Sequence, residues 1–247
     1  MAYDVTFFDY VDQGAIRSAE VVVSELFPVL RPTSLLDVGC GRGGWVRTWK
    51  RDGCADVCGI DGPHVDQASL YIEATEFVVA DLTSKFDLGR RFDLIQCLEV
   101  AEHLPASSAA GLIDSIARHG DIVLFSAAVP GQGGTYHINE RPIEYWREMF
   151  AARGYAAFDY LRPKISQDHR IEPWYRFNSI IYANPAGQAR LPNTVLQTKA
   201  AAQERLPEFA PWSWHVRRAF IRYLPMPFVN QLARLNAQIT RWRTQSG

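Results

Sequence analysis

The stretch Leu35-Leu36-Asp37-Val38-Gly39-Cys40-Gly41-Arg42-Gly43-Gly44-Trp45 constrains this chain more than any other. It reads as a short buried strand, a glycine-rich turn and the start of a helix. Glycine is needed where backbone must bend tightly or come within contact distance of a ligand. A helix opening at Gly44 aims its unpaired N–H groups back at whatever lies over the turn. The chain is thereby committed to a strand–turn–helix unit with a small-molecule site at the strand tip.

Further short apolar runs continue the pattern. Asp56 to Ile60 reads as a second strand ending at Asp61-Gly62, and Glu76 to Ala80 as a third ending at Asp81-Leu82. Phe92 to Cys97 is a fourth strand and Asp121 to Phe125 a fifth. Helical spacing is found in Trp45 to Asp52, in Ser107 to His119, and in Phe7 to Leu30, where Ile16, Ala19, Val22, Val23 and Leu26 share a face before Pro28 and Pro32. Apolar strands alternating with helices imply a parallel sheet covered on both faces. Its crossovers are right-handed, and ligands gather at the carboxyl ends of its strands. A turn-rich loop, Ser126 to Glu140, precedes an amphipathic helix over Arg141 to Arg153 with Pro142 in its first turn. Tyr155 to Leu161 and Arg176 to Ala183 read as two last strands, and Asn184 to Pro192 as a linker.

Composition narrows the class. With 47% hydrophobic residues the chain can bury a substantial core, and a net charge of −1 argues against a dedicated nucleic-acid binder. No apolar run approaches the roughly 20 residues of a membrane span. The first residues lack the basic and apolar regions of a signal peptide. Cys40, Cys54, Cys58 and Cys97 do not have the paired spacing of a zinc site. A cytoplasmic enzyme with reduced thiols is the simplest expectation.

Gly39-x-Gly41-x-x-Gly44 satisfies the dinucleotide fingerprint, and Gly39-x-Gly41-x-Gly43 the nucleoside-binding version; alone, either match is weak. The carboxylates after successive strands add specificity. Asp37 precedes the glycines, where it can order the turn and reach a ligand ammonium. Asp61 closes the second strand, where it can accept both ribose hydroxyls. Asp81 closes the third, where it can accept from an adenine amino group while the Leu82 N–H meets a ring nitrogen. Such a set suits a neutral-to-cationic adenosine ligand better than a pyrophosphate.

The stretches LLDVGCGRGG, GIDG, ADL and FDLIQCLEVAEHLP, in this order, resemble the class I S-adenosylmethionine-dependent methyltransferases over about residues 34–125. The resemblance implies an α/β, Rossmann-like, doubly wound, mostly parallel seven-stranded sheet ending in an antiparallel strand pair. It implies S-adenosylmethionine as cofactor. Asp37, Gly39, Cys40, Gly41 and Gly43 would line the methionine end, Asp61 and Gly62 the ribose, Asp81 and Leu82 the adenine, with Leu98 beside the adenosine. The segments FFDYVDQGAIRSAEVVV and GGTYHINERPIEYWREMFAARGY are similar to a bacterial subgroup associated with glycans and the cell envelope. That similarity spans about residues 3–183.

Methyl transfer from a sulfonium is an in-line displacement, so the protein mainly holds donor and acceptor at close approach. A hydroxyl acceptor is helped by proton removal, which histidine performs near neutral pH. His137, in the loop after the fifth strand, is the expected catalytic base. His103, in a Glu-His-x-Pro segment, is read as a substrate-side residue or as a residue ordering its own loop. Tyr10, Arg17, Tyr136, Asn139, Glu140 and Trp146 are further candidate pocket residues, with polar groups able to grip a sugar. Glu99, Glu102, His103 and His137 match no metal-ligand spacing, and no metal is expected. The function implied is O-methylation of a small molecule or glycan. The alternatives are N-methylation of an amino sugar or natural-product amine, and a non-catalytic partner or scaffold that binds the cofactor.

The domain boundary is expected near residue 185, with residues 186–247 forming a linker and a basic, aromatic, helical C-terminal extension. From Phe209 onward the chain has six arginines and no Asp or Glu. Phe228, Leu232, Leu235, Ile239 and Trp242 recur at four–three spacing. Such a helix can pack on its own domain, pair with a second copy, or rest on anionic lipid at the inner membrane surface.

Overall fold

The computed structural model describes residues 5–201, 204–221 and 228, and side chains from residue 12 onward. A helix, α1 (Val5–Leu30), leads into β1 (Ser34–Val38), α2 (Gly44–Arg51), β2 (Asp56–Asp61), β3 (Phe77–Val79) and β4 (Leu94–Leu98). Then follow α3 (Ala109–His119), β5 (Ile122–Ser126), α4 (Ile143–Ala151) and β6 (Ala156–Phe158). The chain continues through α5 (Arg162–Ile165), α6 (Pro173–Asn178), β7 (Ile180–Ala183), α7 (Pro185–Gln188), α8 (Asn193–Leu196) and α9 (Trp212–Ile221). The strands form one seven-stranded sheet in the order β3-β2-β1-β4-β5-β7-β6. Strands β1 to β5 run parallel, whereas β7 pairs antiparallel with both β5 and β6. The order reverses between β1 and β4, which opens a crevice at their carboxyl ends. The expected Rossmann-like sheet and its closing antiparallel pair are therefore present.

The central strands are mostly apolar because helices cover both faces. Leu35, Leu36, Val38, Leu94, Ile95, Cys97, Val123 and Leu124 are all at most 1% exposed. Trp49 of α2 is fully buried between the sheet and α1, and its indole N–H donates to Gln96 Oε1 on β4 at 2.9 Å. That bond pairs the indole N–H with the amide oxygen inside an apolar layer, where leaving either unpaired would cost about 1–3 kcal/mol. The first helix also lies over the glycine turn. A Cβ on Gly44 would come within 2.8 Å of Ile16, and Arg42 pairs with Asp12.

Several boundaries depart from the sequence reading. The expected last strand over Arg176 to Ala183 is shortened to Ile180–Ala183, because Pro173 starts α6 at a first helical position. That helix carries Tyr175 against Trp45, with ring centroids 5.0 Å apart. The strand expected over Tyr155 to Leu161 is limited to Ala156–Phe158, after which α5 begins at Arg162. Pro28 lies inside α1 and does not close it. Asn184 to Pro192 is not a linker. Asn184 caps α7, and Leu191 and Val195 are buried in the domain core. Ala200 N–H donates to the Ala157 carbonyl, so the packed unit runs past the boundary drawn at 185. All four cysteines are free.

The start of the C-terminal extension packs on this unit. In α9 the Trp214 ring meets Phe177 at 5.8 Å, Arg217 donates to the Gln132 carbonyl and Arg218 to the Pro130 carbonyl. Trp212 and Phe220 are 80% and 67% exposed. Phe228 is described and exposed, but Leu232, Leu235, Ile239 and Trp242 lie outside the described residues. Among the described residues no helix is long and apolar enough to cross a membrane.

Candidate active site

The glycine turn runs from the tip of β1 into α2 with three glycines in the left-handed region, Gly39 at φ 81°, Gly41 at 54° and Gly43 at 84°. A side chain is excluded at Gly39 on two counts. Its φ suits glycine, and a Cβ there would come within 2.2 Å of Val100 Cγ2. Over Gly41, by contrast, a Cβ would meet nothing within 4 Å. The turn is thus bare backbone facing open space. The Gly39 N–H donates to the Ile60 carbonyl at 2.8 Å, joining the tips of β1 and β2.

Asp61 locks this arrangement from the end of β2. Its carboxylate accepts the Gly41 N–H at 2.7 Å and the Gly62 N–H at 2.6 Å. A carboxylate has about four lone-pair sites, so two remain for ligand hydroxyls. Asp37 is 3% exposed, and burial raises it to about 7, the Gln96 side chain opposing and the Asp61 charge adding. Two buried carboxylates that destabilise each other's charge form a site relieved by a cation. An adenosyl sulfonium with its ammonium fits that requirement, and its ribose fits Asp61.

The remaining cofactor-side residues differ among themselves. Cys40 is buried, its thiol over Gly59, where a Cβ would meet the sulfur at 2.6 Å. Leu82 and Leu98 are buried beyond β3 and at the end of β4. Asp81 is exposed, and its Oδ1 accepts both the Thr83 N–H and the Thr83 hydroxyl. This is a turn-closing contact that leaves Oδ2 for a ligand.

Beside this turn, the tips of β4 and β5 carry a second polar cluster. Glu99 has a φ of 56°, rare for a residue with a side chain. Its carboxylate accepts from Gln132 Nε2 at 2.7 Å, and Asn178 Nδ2 donates to Gln132 Oε1 at 2.8 Å. Glu102 is fully buried, and among the described residues neither of its carboxylate oxygens has a hydrogen-bond partner in good geometry. Burial, and then the Glu99 carboxylate, push it well above the usual range. The His103 and His137 rings meet edge to face, 4.8 Å between centroids. His137 Nδ1 lies 3.0 Å from Glu140 Oε1, and Glu140 also accepts the Gly131 and Gly133 N–H groups. His103 keeps an exposed edge, and its crowded surroundings and His137 hold it below its ordinary value.

Other expected pocket residues are placed differently. Trp146 is 2% exposed and packs against Phe125 in the core, so it is not a pocket residue. The indole fills the layer between α4 and β5, and its N–H has no hydrogen-bond partner among the described residues. Asn139 is buried and donates to the Ala101 carbonyl, tying the loop after β5 to the turn after β4. Arg17 is half exposed beside Glu172, 3.7 Å away. Tyr136 is exposed with a φ of 63°. Tyr10 lies on α1, its side chain outside those described. Sequence reasoning missed Gln132, Asn178 and Tyr175, because amide-to-carboxylate networks and a phenol on a short helix leave no periodic signal.

A family profile described as a methyltransferase domain matches residues 15–159, more than half of the chain. The chain belongs to the methyltransferase domain family. This methyltransferase domain has the Rossmann-like fold that the motifs imply. Solved structures share the fold. The sugar N-methyltransferase KedS8 from Streptoalloteichus sp is 18% identical with a TM-score of 0.51, over 71% of this chain and 87% of that one. The magnesium protoporphyrin IX methyltransferase ChlM from Synechocystis PCC 6803, with bound SAM, is 15% identical with a TM-score of 0.50, over 74% and 86%. Streptomyces venezuelae DesVI is 19% identical with a TM-score of 0.44, over 54% of this chain, which spans 62% of that protein's length. No curated protein matches the chain significantly.

Proposed function

We propose that this methyltransferase transfers a methyl group from S-adenosylmethionine to a hydroxyl of a small molecule or glycan. The donor, when bound, supplies a methyl carbon activated by positively charged sulfur. Asp61 holds the ribose, Asp37 the ammonium end, and Asp81 with Leu82 the adenine. The observation that carries the hydroxyl reading is the cluster at the tips of β4 and β5. There His137, oriented through Nδ1 by Glu140, faces His103 beside the turn of Glu102. A hydroxyl must lose its proton as it attacks, and a group poised to promote that loss is worth roughly a hundred- to ten-thousandfold. An amine that is already neutral attacks without such help, so N-methylation leans on this cluster less than O-methylation does. His137 is accordingly the acceptor-activating residue.

The test is a screen of nucleotide sugars and envelope glycans, in hydroxyl and amino forms, with labelled donor. Label in ether linkages is the expected result. Label confined to amines would replace this reading with N-methylation. Donor binding without labelling of any acceptor would favour a scaffold role.

Asp37 gives donor binding a pH dependence. Its folded-state value is raised from 3.8 to about 7, so ionising it in the empty protein costs about 4 kcal/mol. Its contribution to stability is full below the ordinary carboxylate value and is lost as pH rises through about 7. A cationic ligand needs the ionised form. Affinity for S-adenosylhomocysteine, which keeps the ammonium, is expected to fall up to about tenfold per pH unit below 7, with proton release on binding. Calorimetry at pH 6 in buffers of different ionisation enthalpy reads both effects. Asp37→Asn should flatten the profile; a flat wild-type profile would remove Asp37 from this role.

A further inference from the structure

We propose that Glu102, His103 and His137 bind one divalent metal ion beside the methyl-donor site, with Glu99 as a neighbouring carboxylate. The inference deepens the hydroxyl reading above and rests on it for its catalytic use. The three residues come from two loops, and one ligand atom from each lies within 4.8 Å of the other two. Around a six-coordinate ion with bonds of about 2.1 Å, neighbouring ligands stand about 3 Å apart and opposite ones about 4 Å. Closing the cluster onto an ion therefore takes side-chain shifts of less than about an ångström.

Glu102 is the independent indication of a ligand. It is fully buried, and among the described residues neither oxygen has a hydrogen-bond partner in good geometry, the Ala128 backbone and the Glu99 carboxyl being polar neighbours. An ionised carboxylate so placed costs several kcal/mol unless a cation meets it. Among the described residues no Lys or Arg donates to it. Glu99 beside it is acidic and takes its hydrogen bond from the Gln132 amide, while Arg217 is spent on the Gln132 carbonyl.

His137 is oriented as a metal-binding histidine usually is. Its Nδ1 is held by Glu140, itself fixed by two backbone N–H groups, so that Nε2, which packs beside Gly134, is the nitrogen not taken up by Glu140. A carboxylate behind a coordinating imidazole sets its tautomer and raises its basicity. Two imidazoles and one or two carboxylates, with positions open, suit Mn²⁺, Co²⁺ or Zn²⁺. Val100 links this site to the donor site, because it lies directly over Gly39.

In this arrangement His137 acts as a ligand and not as the proton acceptor. The acceptor hydroxyl binds an open position, where its acidity rises. Its proton passes to water, the oxygen forms a bond to the methyl carbon, and the carbon–sulfur bond breaks with its electron pair going to sulfur.

The experiment uses the full chain, stripped by chelator and titrated with Mn²⁺ while free Mn²⁺ is followed by electron paramagnetic resonance. One equivalent is expected to bind. Glu102→Gln and His137→Ala should each weaken binding by about tenfold or more, with S-adenosylhomocysteine affinity kept as the check on folding. Absence of saturable Mn²⁺ and Zn²⁺ binding by folded protein, or equal affinity in both variants, would overturn the site. Mn²⁺ binding without methylation of any hydroxyl keeps the site and removes the hydroxyl reading. Hydroxyl methylation that survives chelator, with no Mn²⁺ bound, does the reverse.

Discussion

Replacing His137 with alanine is expected to lower turnover on a hydroxyl acceptor by roughly a hundred- to ten-thousandfold. Affinity for S-adenosylhomocysteine should stay within about twofold, because uniform binding and transition-state stabilisation are separate quantities. The split follows from where the ring sits. His137 belongs to the loop after β5 and is fixed by Glu140, whereas the glycine turn is held by Asp61 and the Ile60 carbonyl. Removing the imidazole leaves Glu140 still bound to the Gly131 and Gly133 N–H groups, so the loop keeps its main anchor. A Cβ on Gly134 would come within 2.2 Å of His137 Nε2, so this glycine is the space in which the ring sits. Single-turnover methyl transfer with labelled donor measures the effect. Turnover within about threefold of wild type would take His137 out of acceptor activation, whether as base or as metal ligand.

Asp61→Ala should cost the affinity for S-adenosylhomocysteine about a hundredfold or more. Hydrogen bonds to a charged group contribute about 1.5–3 kcal/mol each, and the carboxylate has capacity for both ribose hydroxyls. The same substitution leaves the Gly41 and Gly62 N–H groups without their acceptor, so the empty turn loosens as well. Both effects act on binding in the same direction. Asp81→Ala serves as the contrast. That carboxylate is exposed and closes a local turn with Thr83, so its loss is expected to cost about tenfold or less. Equal losses at the two positions would mean that Asp61 has no special hold on the ligand.

How much of this was legible in the sequence depends on how local the signal is. The unit from β1 through the glycine turn into α2 is written in consecutive residues, and the structure has it where the residues put it. Asp37 and Asp61 stand out in the sequence for the same reason, since each is a lone carboxylate at or next to the end of an apolar strand. Arg176 to Asn178 misled, because Tyr175 and Phe177 suit a strand as well as a helix. Pro173 decided it, with the packing of Tyr175 on Trp45. Trp146 misled in another way, because only the position of Phe125 tells whether an aromatic ring faces a pocket or the core. Glu102, His103 and His137 are weighed together in the sequence and set aside there because their spacing matches no ligand pattern; only the fold shows how close they come. The third member of this cluster arrives through the turn after β5, and no spacing along the chain encodes that approach.

The measurement that tests the account most directly is calorimetric titration of the purified, folded chain with S-adenosylhomocysteine. One saturable site per chain is predicted, lost in Asp61→Ala and weakened below pH 7. A folded wild-type protein that takes up neither S-adenosylhomocysteine nor S-adenosylmethionine would contradict it.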